Sequence, residues 1–207
     1  MKKQVIKDFI LYPDIMVMGL LFFIGLGIVL PSLDQWQLWG FLASGMIAYS
    51  LSEYLIHRFL FHMKPPKNPT LLKMIKRLHY DHHVKPDDLH LLFLPLWYSA
   101  PIILISALAV YFFTGNFLFT ISFVTGIIGF LLFYEWKHYI AHRPITPLTP
   151  WGRWMKKVHM LHHYKNENYW YGVTHPLYDV LLGTFEDEKN VEKSETARNL
   201  ESHDKKD

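Results

Sequence analysis

Between Leu89 and Tyr134 the chain runs for 46 residues without one Asp, Glu, Lys or Arg, and nothing else narrows its folding options as sharply. A water-facing surface needs charged side chains, so a run this long has to lie in protein or lipid. A helix crosses a bilayer with about 20 predominantly apolar residues. The run therefore accommodates spans at about 91–113 and 117–138, with Thr114-Gly115-Asn116 as the turn between them. Upstream, Ile15–Leu33 and Gln35–Ser52 are two more uncharged runs, of 19 and 18 residues, split by Asp34 beside Pro31 and Ser32. The expectation is an all-α integral membrane protein with four transmembrane helices, at about 15–33, 35–57, 91–113 and 117–138.

The opening MKKQVIKDF has the basic character of a signal-peptide n-region. The apolar stretch after it exceeds an h-region and no Ala-x-Ala-like site follows, so a retained anchor is expected. Of the 21 Lys and Arg residues, three precede the first run, seven lie between Arg58 and Lys85 and eleven follow from Lys137 onward; the connections around Asp34 and Gly115 have none. By the positive-inside rule both termini face the cytoplasm. The net charge of +3 then reflects topology, and no nucleic-acid partner is expected. With no Cys in the chain, disulfides, thiolate ligands and cysteine-held iron–sulfur clusters are excluded. The domain is expected to occupy 1–185, followed by a tail, Glu186–Asp207, charged at 13 of 22 positions and expected to be disordered.

Ten of the 13 histidines fall into four tight groups: His57 and His62 in HRFLFH, His79, His82 and His83 in HYDHH, His138 and His142 in HYIAH, and His159, His162 and His163 in HMLHH. They also repeat. His62, His79, His82 and His83 recur 80 residues later as His142, His159, His162 and His163, the pair Lys76-Arg77 recurs as Lys156-Lys157 at the same offset, and His57 recurs as His138 at 81. Two similar half-sites, 80 residues apart, are implied. A histidine-rich basic surface or a pH-sensing cluster would not repeat its spacing in this way.

Residues at i, i+3 and i+4 share one helix face, so both triplets and the second pair can converge. His57 and His62, at i and i+5, lie about 140° apart on a regular helix. Either the helix is distorted ahead of Lys64-Pro65-Pro66 or the two rings serve different metals. Ten imidazoles exceed the four ligands of zinc or the six of an octahedral ion, which implies two metals. Imidazole suits iron, copper, nickel and zinc alike, so the donors leave the metal open. The expected cytoplasmic helical cap would carry this dinuclear site at one end of the spans.

Glu53, four residues before His57, Glu135, three before His138, and Asp81, inside the first triplet, could take the proton of a ligand's second ring nitrogen. A structural salt bridge or interfacial cap is the competing role. His175 and Asp179, in YGVTHPLYDVLLGT beyond the last triplet, are further residues that could approach the site.

With these residues assembled, the chain from Ser52 to Thr184 resembles the fatty acid hydroxylase and sterol desaturase superfamily. EYLIHRFLFHMKPP, HYDHHVKPDDLHLLFLP, YEWKHYIAH, VHMLHHY and GVTHPLYDVLLGT look most like its fatty acid 2-hydroxylase branch. The resemblance implies that the ten histidines ligate two iron ions, with zinc possible on isolation, and that dioxygen is co-substrate. It implies a long acyl chain of a membrane lipid as substrate, hydroxylated at the alpha carbon. With no cytochrome b5-type domain ahead of the first helix, a separate redox donor protein would supply electrons. Desaturation, or hydroxylation of a sterol, sphingoid base or carotenoid, would use the same boxes. A zinc-binding membrane hydrolase or transporter is more remote: no H-E-x-x-H occurs, and a transporter's ligands belong near the bilayer midplane.

Overall fold

The computed structural model describes residues 2–205. Among them there is no β-strand. The helices are α1 (Lys2–Ile10), α2 (Pro13–Val29), α3 (Trp36–Ile56), α4 (Pro69–Ile75), α5 (Asp81–Val84), α6 (Leu89–Leu92), α7 (Leu96–Thr114), α8 (Phe117–Ala141), α9 (Pro150–Tyr164) and α10 (Leu177–Leu181). Two π-helical turns, His57–Phe61 and Lys76–Tyr80, follow α3 and α4 directly. The chain divides into two compact units, 1–50 with 94–136 and 51–93 with 137–207.

In the first unit the long helices approach each other through small residues. A Cβ on Gly45 would lie 2.0 Å from the Phe123 carbonyl oxygen, and one on Gly126 would lie 2.1 Å from that of Leu42, so α3 and α8 touch backbone to backbone. Ser122 Oγ donates to the Leu38 carbonyl at 2.6 Å, and Phe41 stacks on Phe119 with ring centroids 4.6 Å apart. Helix α2 packs on α8 through a neighbouring face, where Gly25 sits against Thr125 and Gly129 against the Phe22 ring. Asp14 accepts from Leu96 N at 3.2 Å, tying the start of α2 to the start of α7. Small residues at contacts are the usual solution where lipid tails remove any hydrophobic drive between helices. Gly126→Val should therefore lower the melting temperature of the detergent-solubilised protein, by the about 1–3 kcal/mol typical of overpacking or more, whereas Gly27→Ala, with open space around it, should leave it nearly unchanged.

Among the described residues, three helical segments are long and apolar enough to cross a membrane: Pro13–Ser32, Leu89–Thr114 and Phe117–Ala141. The chain is a membrane protein. The fourth expected span is present as a 21-residue helix, α3, but it is less apolar than the other three. Gln37, Ser44, Tyr49, Ser50, Ser52 and Glu53 dilute its hydropathy.

The second unit contains all four histidine groups. Helices α4 and α9, which lead into the two triplets, begin alike: Asn68 Oδ1 accepts from Leu71 N at 3.0 Å ahead of Pro69, and Thr149 Oγ1 accepts from Gly152 N at 3.0 Å ahead of Pro150. Such caps satisfy amides the helix cannot, and proline fits the first turn. The C-terminal segment departs from expectation. Described through residue 205, it packs against the unit: Val191 is buried with Val158 and Trp170, and Leu200 with Ile75 and Tyr80. Its apolar residues are few, but Val191 and Leu200 each enter a core cluster and Ala197 is buried, which charge density alone misses. Lys206 and Asp207 lie outside the described residues.

Candidate metal centre

The ten histidines converge as two sets of five, each with one ring nitrogen per residue and all within 4.8 Å of one another. One set is His57, His62, His79, His83 and His162; the other is His82, His138, His142, His159 and His163. All are buried except His62, which is half-buried. The two halves of the repeat do not keep to themselves. His82, the middle residue of the first triplet, belongs with the second half, and His162, its counterpart 80 residues on, belongs with the first. The sets meet where the third residues of the triplets, His83 and His163, stack with centroids 4.1 Å apart and planes at 20°.

Local backbone explains how an i, i+5 pair shares a set. His57–Phe61 is a π turn, in which His62 N donates to the His57 carbonyl at 3.2 Å. The wider turn brings the two rings to the same side, so the first of the two alternatives for this pair is the one realised. His138 and His142 lie one ordinary turn apart, with His142 N donating to the His138 carbonyl at 3.3 Å. Lys156, from the repeated basic pair, ties off the end of that helix by donating to the carbonyls of Ile140, Arg143 and Ile145.

The second ring nitrogens of His57, His83 and His162 go to backbone carbonyls, where the sequence had pointed to carboxylates. His57 Nδ1–H donates to Tyr171 O at 2.5 Å, His162 Nδ1–H to Tyr169 O at 2.7 Å and His83 Nδ1–H to Ala197 O at 2.7 Å. The buried carboxylates act one step further out. Glu53 Oε1 accepts from the amides of Val173 and Thr174 at 2.8 and 2.9 Å, and its Oε2 from Thr174 Oγ1 at 2.7 Å. Asp179 accepts from the amides of Tyr171 and Gly172 at 2.8 and 2.7 Å and from Thr184 Oγ1 at 2.7 Å. Together they hold the loop that presents the Tyr171 carbonyl to His57. Gly172 is required in this loop, since a Cβ there would lie 2.2 Å from His175 O and 2.8 Å from Asp179 Oδ2.

The remaining candidates lie elsewhere. Asp81 pairs with Lys76 at 3.3 Å, and both side chains are more than a third exposed. Glu135 Oε1 accepts from Leu94 N at 3.0 Å, a backbone cap in the first unit. His175 belongs to neither set; its Nδ1 accepts from Leu177 N at 3.3 Å.

The donors suit a metal ion. Within the sets, neighbouring Nε2 atoms are 2.8–3.2 Å apart. Bonds of about 2.1 Å give an octahedral shell with edges near 3.0 Å and a tetrahedral one with edges near 3.4 Å, and five donors exceed a tetrahedron in any case. An imidazole whose Nδ1–H is spent on a carbonyl turns a bare lone pair inward. His57, His83 and His162 all do so. His163, fully buried, has no hydrogen-bond partner on either ring nitrogen.

Burial, followed by the neighbouring imidazoles, holds His79, His82, His142, His159, His162 and His163 far below the ordinary histidine range, and burial pushes His83 down to about 3. These rings are neutral, as ligands must be. The unfolded chain protonates its histidines near pH ~6.5, whereas the folded one cannot until much lower pH, so folding stability is complete above pH ~6.5 and declines as the pH falls below it. Metal-free protein should melt at progressively lower temperature from pH 7.5 to 5 in thermal unfolding. A flat profile would contradict neutral, buried rings.

The family model described as fatty acid hydroxylase matches residues 42–184. The chain belongs to the fatty acid hydroxylase family. Relatives include the fatty acid 2-hydroxylase of Rattus norvegicus, 32% identical over 70% of this chain and 39% of that protein. The ceramide very long chain fatty acid hydroxylase scs7 of Schizosaccharomyces pombe is 33% identical over 70% of this chain and 42% of the relative. Dihydroceramide fatty acyl 2-hydroxylase FAH2 of Arabidopsis thaliana is 34% identical over 69% and 59%. The chain thus spans about two fifths of the length of the mammalian and yeast relatives it matches. A solved structure described as full-length scs7p, with only the hydroxylase domain visible, superposes with a TM-score of 0.74 at 25% identity, covering 86% of this chain and 67% of that one.

Proposed function

We propose that this fatty acid hydroxylase family member is a non-haem di-iron monooxygenase that hydroxylates a long-chain acyl lipid at the alpha carbon, with dioxygen as co-substrate. The observation that carries this reading is the pair of all-imidazole sets, five residues each, in a protein of this family. The fatty acyl 2-hydroxylase names of its relatives supply the position of oxidation.

Each ion would be held by one set: His57, His62, His79, His83 and His162 for the first, His82, His138, His142, His159 and His163 for the second. Bound there, two irons supply the oxidising power that no ordinary side chain has against an unactivated C–H bond. The protein's own part is to hold the rings neutral, aim their Nε2 atoms inward through the carbonyls of Tyr169, Tyr171 and Ala197, and exclude water by burial. Five imidazoles would leave an ion that accepts six ligands room for one ligand from outside the protein.

In our reading α3 is the fourth span, both termini and the histidine sets face the cytoplasm, and a separate redox protein delivers electrons. An acyl tail could then stay in the lipid while its head reaches the metals. Mass spectrometry of total lipid from cells with and without the gene, under isotopically labelled dioxygen, tests the activity. Labelled 2-hydroxy acyl chains are expected; a different labelled lipid, or none, overturns the assignment. Two zinc ions and no iron after iron-replete anaerobic purification, without oxygen consumption on reduction, would overturn the di-iron centre.

A further inference from the structure

We propose that the C-terminal segment 191–201 is a structural part of the first metal set: a strap whose Ala197 carbonyl aims His83 at the ion. The inference rests on His83 being a ligand, as proposed above. Ala197 O accepts from His83 Nδ1–H at 2.7 Å, and both residues are buried. The next residue grips the same turn from outside, since Arg198 Nε donates to His83 O at 2.9 Å and its Nη2 to Val84 O at 2.9 Å. The Arg198 guanidinium also lies 4.7 Å from the centre of the Tyr164 ring, next to His163 in sequence.

The strap is anchored on either side of that contact. On its N-terminal side Val191 enters the cluster of Val158 and Trp170, Asn166 Nδ2 donates to Glu192 O at 3.1 Å, and Ser194 N donates to Lys165 O at 2.7 Å. The buried Glu167 carboxylate accepts from Ser194 Oγ at 3.0 Å and from Thr196 Oγ1, immediately before Ala197. On the C-terminal side Leu200 is buried against Ile75 and Tyr80, and Glu201 pairs with Lys76 at 2.5 Å. A segment held at both ends and hydrogen-bonded to a ligand's second nitrogen does for His83 what the 169–174 loop does for His57 and His162. Such contacts fix the tautomer and ring direction of a ligand, and their loss typically weakens metal binding 10–100-fold.

The test follows iron release from the full chain, purified anaerobically in detergent and challenged with a chelator, with 57Fe Mössbauer spectra to tell the two ions apart. Arg198→Ala combined with Thr196→Val should lose one of two ions at least tenfold faster while the other keeps its wild-type rate and signature; Arg198→Lys should recover part of the difference. A stop after Lys189 should show the same selective loss more strongly. Unchanged release of both ions overturns the proposal, and so does equal acceleration of both, which general destabilisation would give. Trypsin supplies a check independent of iron: on the intact wild type, cleavage after Lys193 and Arg198 should be much slower than in the same chain unfolded in urea, and equally rapid cutting in the native protein would overturn the strap. A wild type that binds no iron would instead count against the di-iron reading and leave the trypsin result to decide the strap.

Discussion

Substituting His162 with Ala should strip the ion from the set begun by His57, and iron per chain should fall from two to one. His162 sits in the second half of the repeat, yet its Nε2 lies 3.0 Å from that of His62, and it completes the set of His57, His62, His79 and His83. His82→Ala should produce the mirror result and empty the set of His138, His142, His159 and His163. Either change should reduce 2-hydroxylated lipid by more than a hundredfold, beyond the 10–100-fold expected for an outer-shell partner, while the protein still inserts and remains α-helical. The double substitution should add little, because residues acting as one unit are far from additive. Mössbauer spectra of the iron-loaded single variants would show which site survives. Two irons per chain, or wild-type activity, in either one would refute the ligand assignment.

The second large effect is expected at Glu53, which touches no histidine of either set by the contacts resolved. Removing its carboxylate in Glu53→Ala leaves the amides of Val173 and Thr174 and the Thr174 hydroxyl without their acceptor in a buried site. Each stranded donor costs about 1–3 kcal/mol, so stability should drop by about 3 kcal/mol or more, visible as a lower melting temperature in detergent. The same loop carries the Tyr171 carbonyl that orients His57. Lipid hydroxylation should therefore fall about 10–100-fold, with weakened iron in the first set alone. Glu53→Gln retains an acceptor oxygen and should show a much smaller loss of stability. Equal stability of Glu53→Ala and wild type would refute the anchoring role.

The residues that gather into the two sets were legible in the sequence because histidine spacing on a helix face is a one-dimensional record of a three-dimensional face. The 80-residue repeat even announced two sets. Chain position could not say which set takes which ring: His82 and His83 are neighbours in sequence, yet they diverge to different sets, since adjacent residues on a helix point about 100° apart. The i, i+5 spacing of His57 and His62 advertised a distortion, and a π turn supplies it. The outer partners were invisible for a different reason. Backbone carbonyls at Tyr169, Tyr171 and Ala197 carry no residue signature, so attention fell on Glu53, Glu135 and Asp81; Glu53 reaches the first set at one remove, through the loop that carries Tyr171. The tail was misjudged because composition averages over Val191, Ala197 and Leu200, three small or apolar residues that do the holding amid many charges. Of the four expected spans, three coincide with helices among the described residues that are apolar enough to cross a membrane, and α3, in the place of the other, is diluted by its own polar residues.

The exchange of His82 and His162 bears on how such a chain could have arisen. A half-length polypeptide with one pair and one triplet would own four rings of one set and a fifth that reaches into somebody else's. Alone it could complete neither. Two copies related by a two-fold rotation would complete both at once, each lending its middle histidine to the other, as an isologous dimer requires. Fusing the copies head to tail would keep both centres intact from the first generation onward, and would tie the fate of each ion to both halves of the gene.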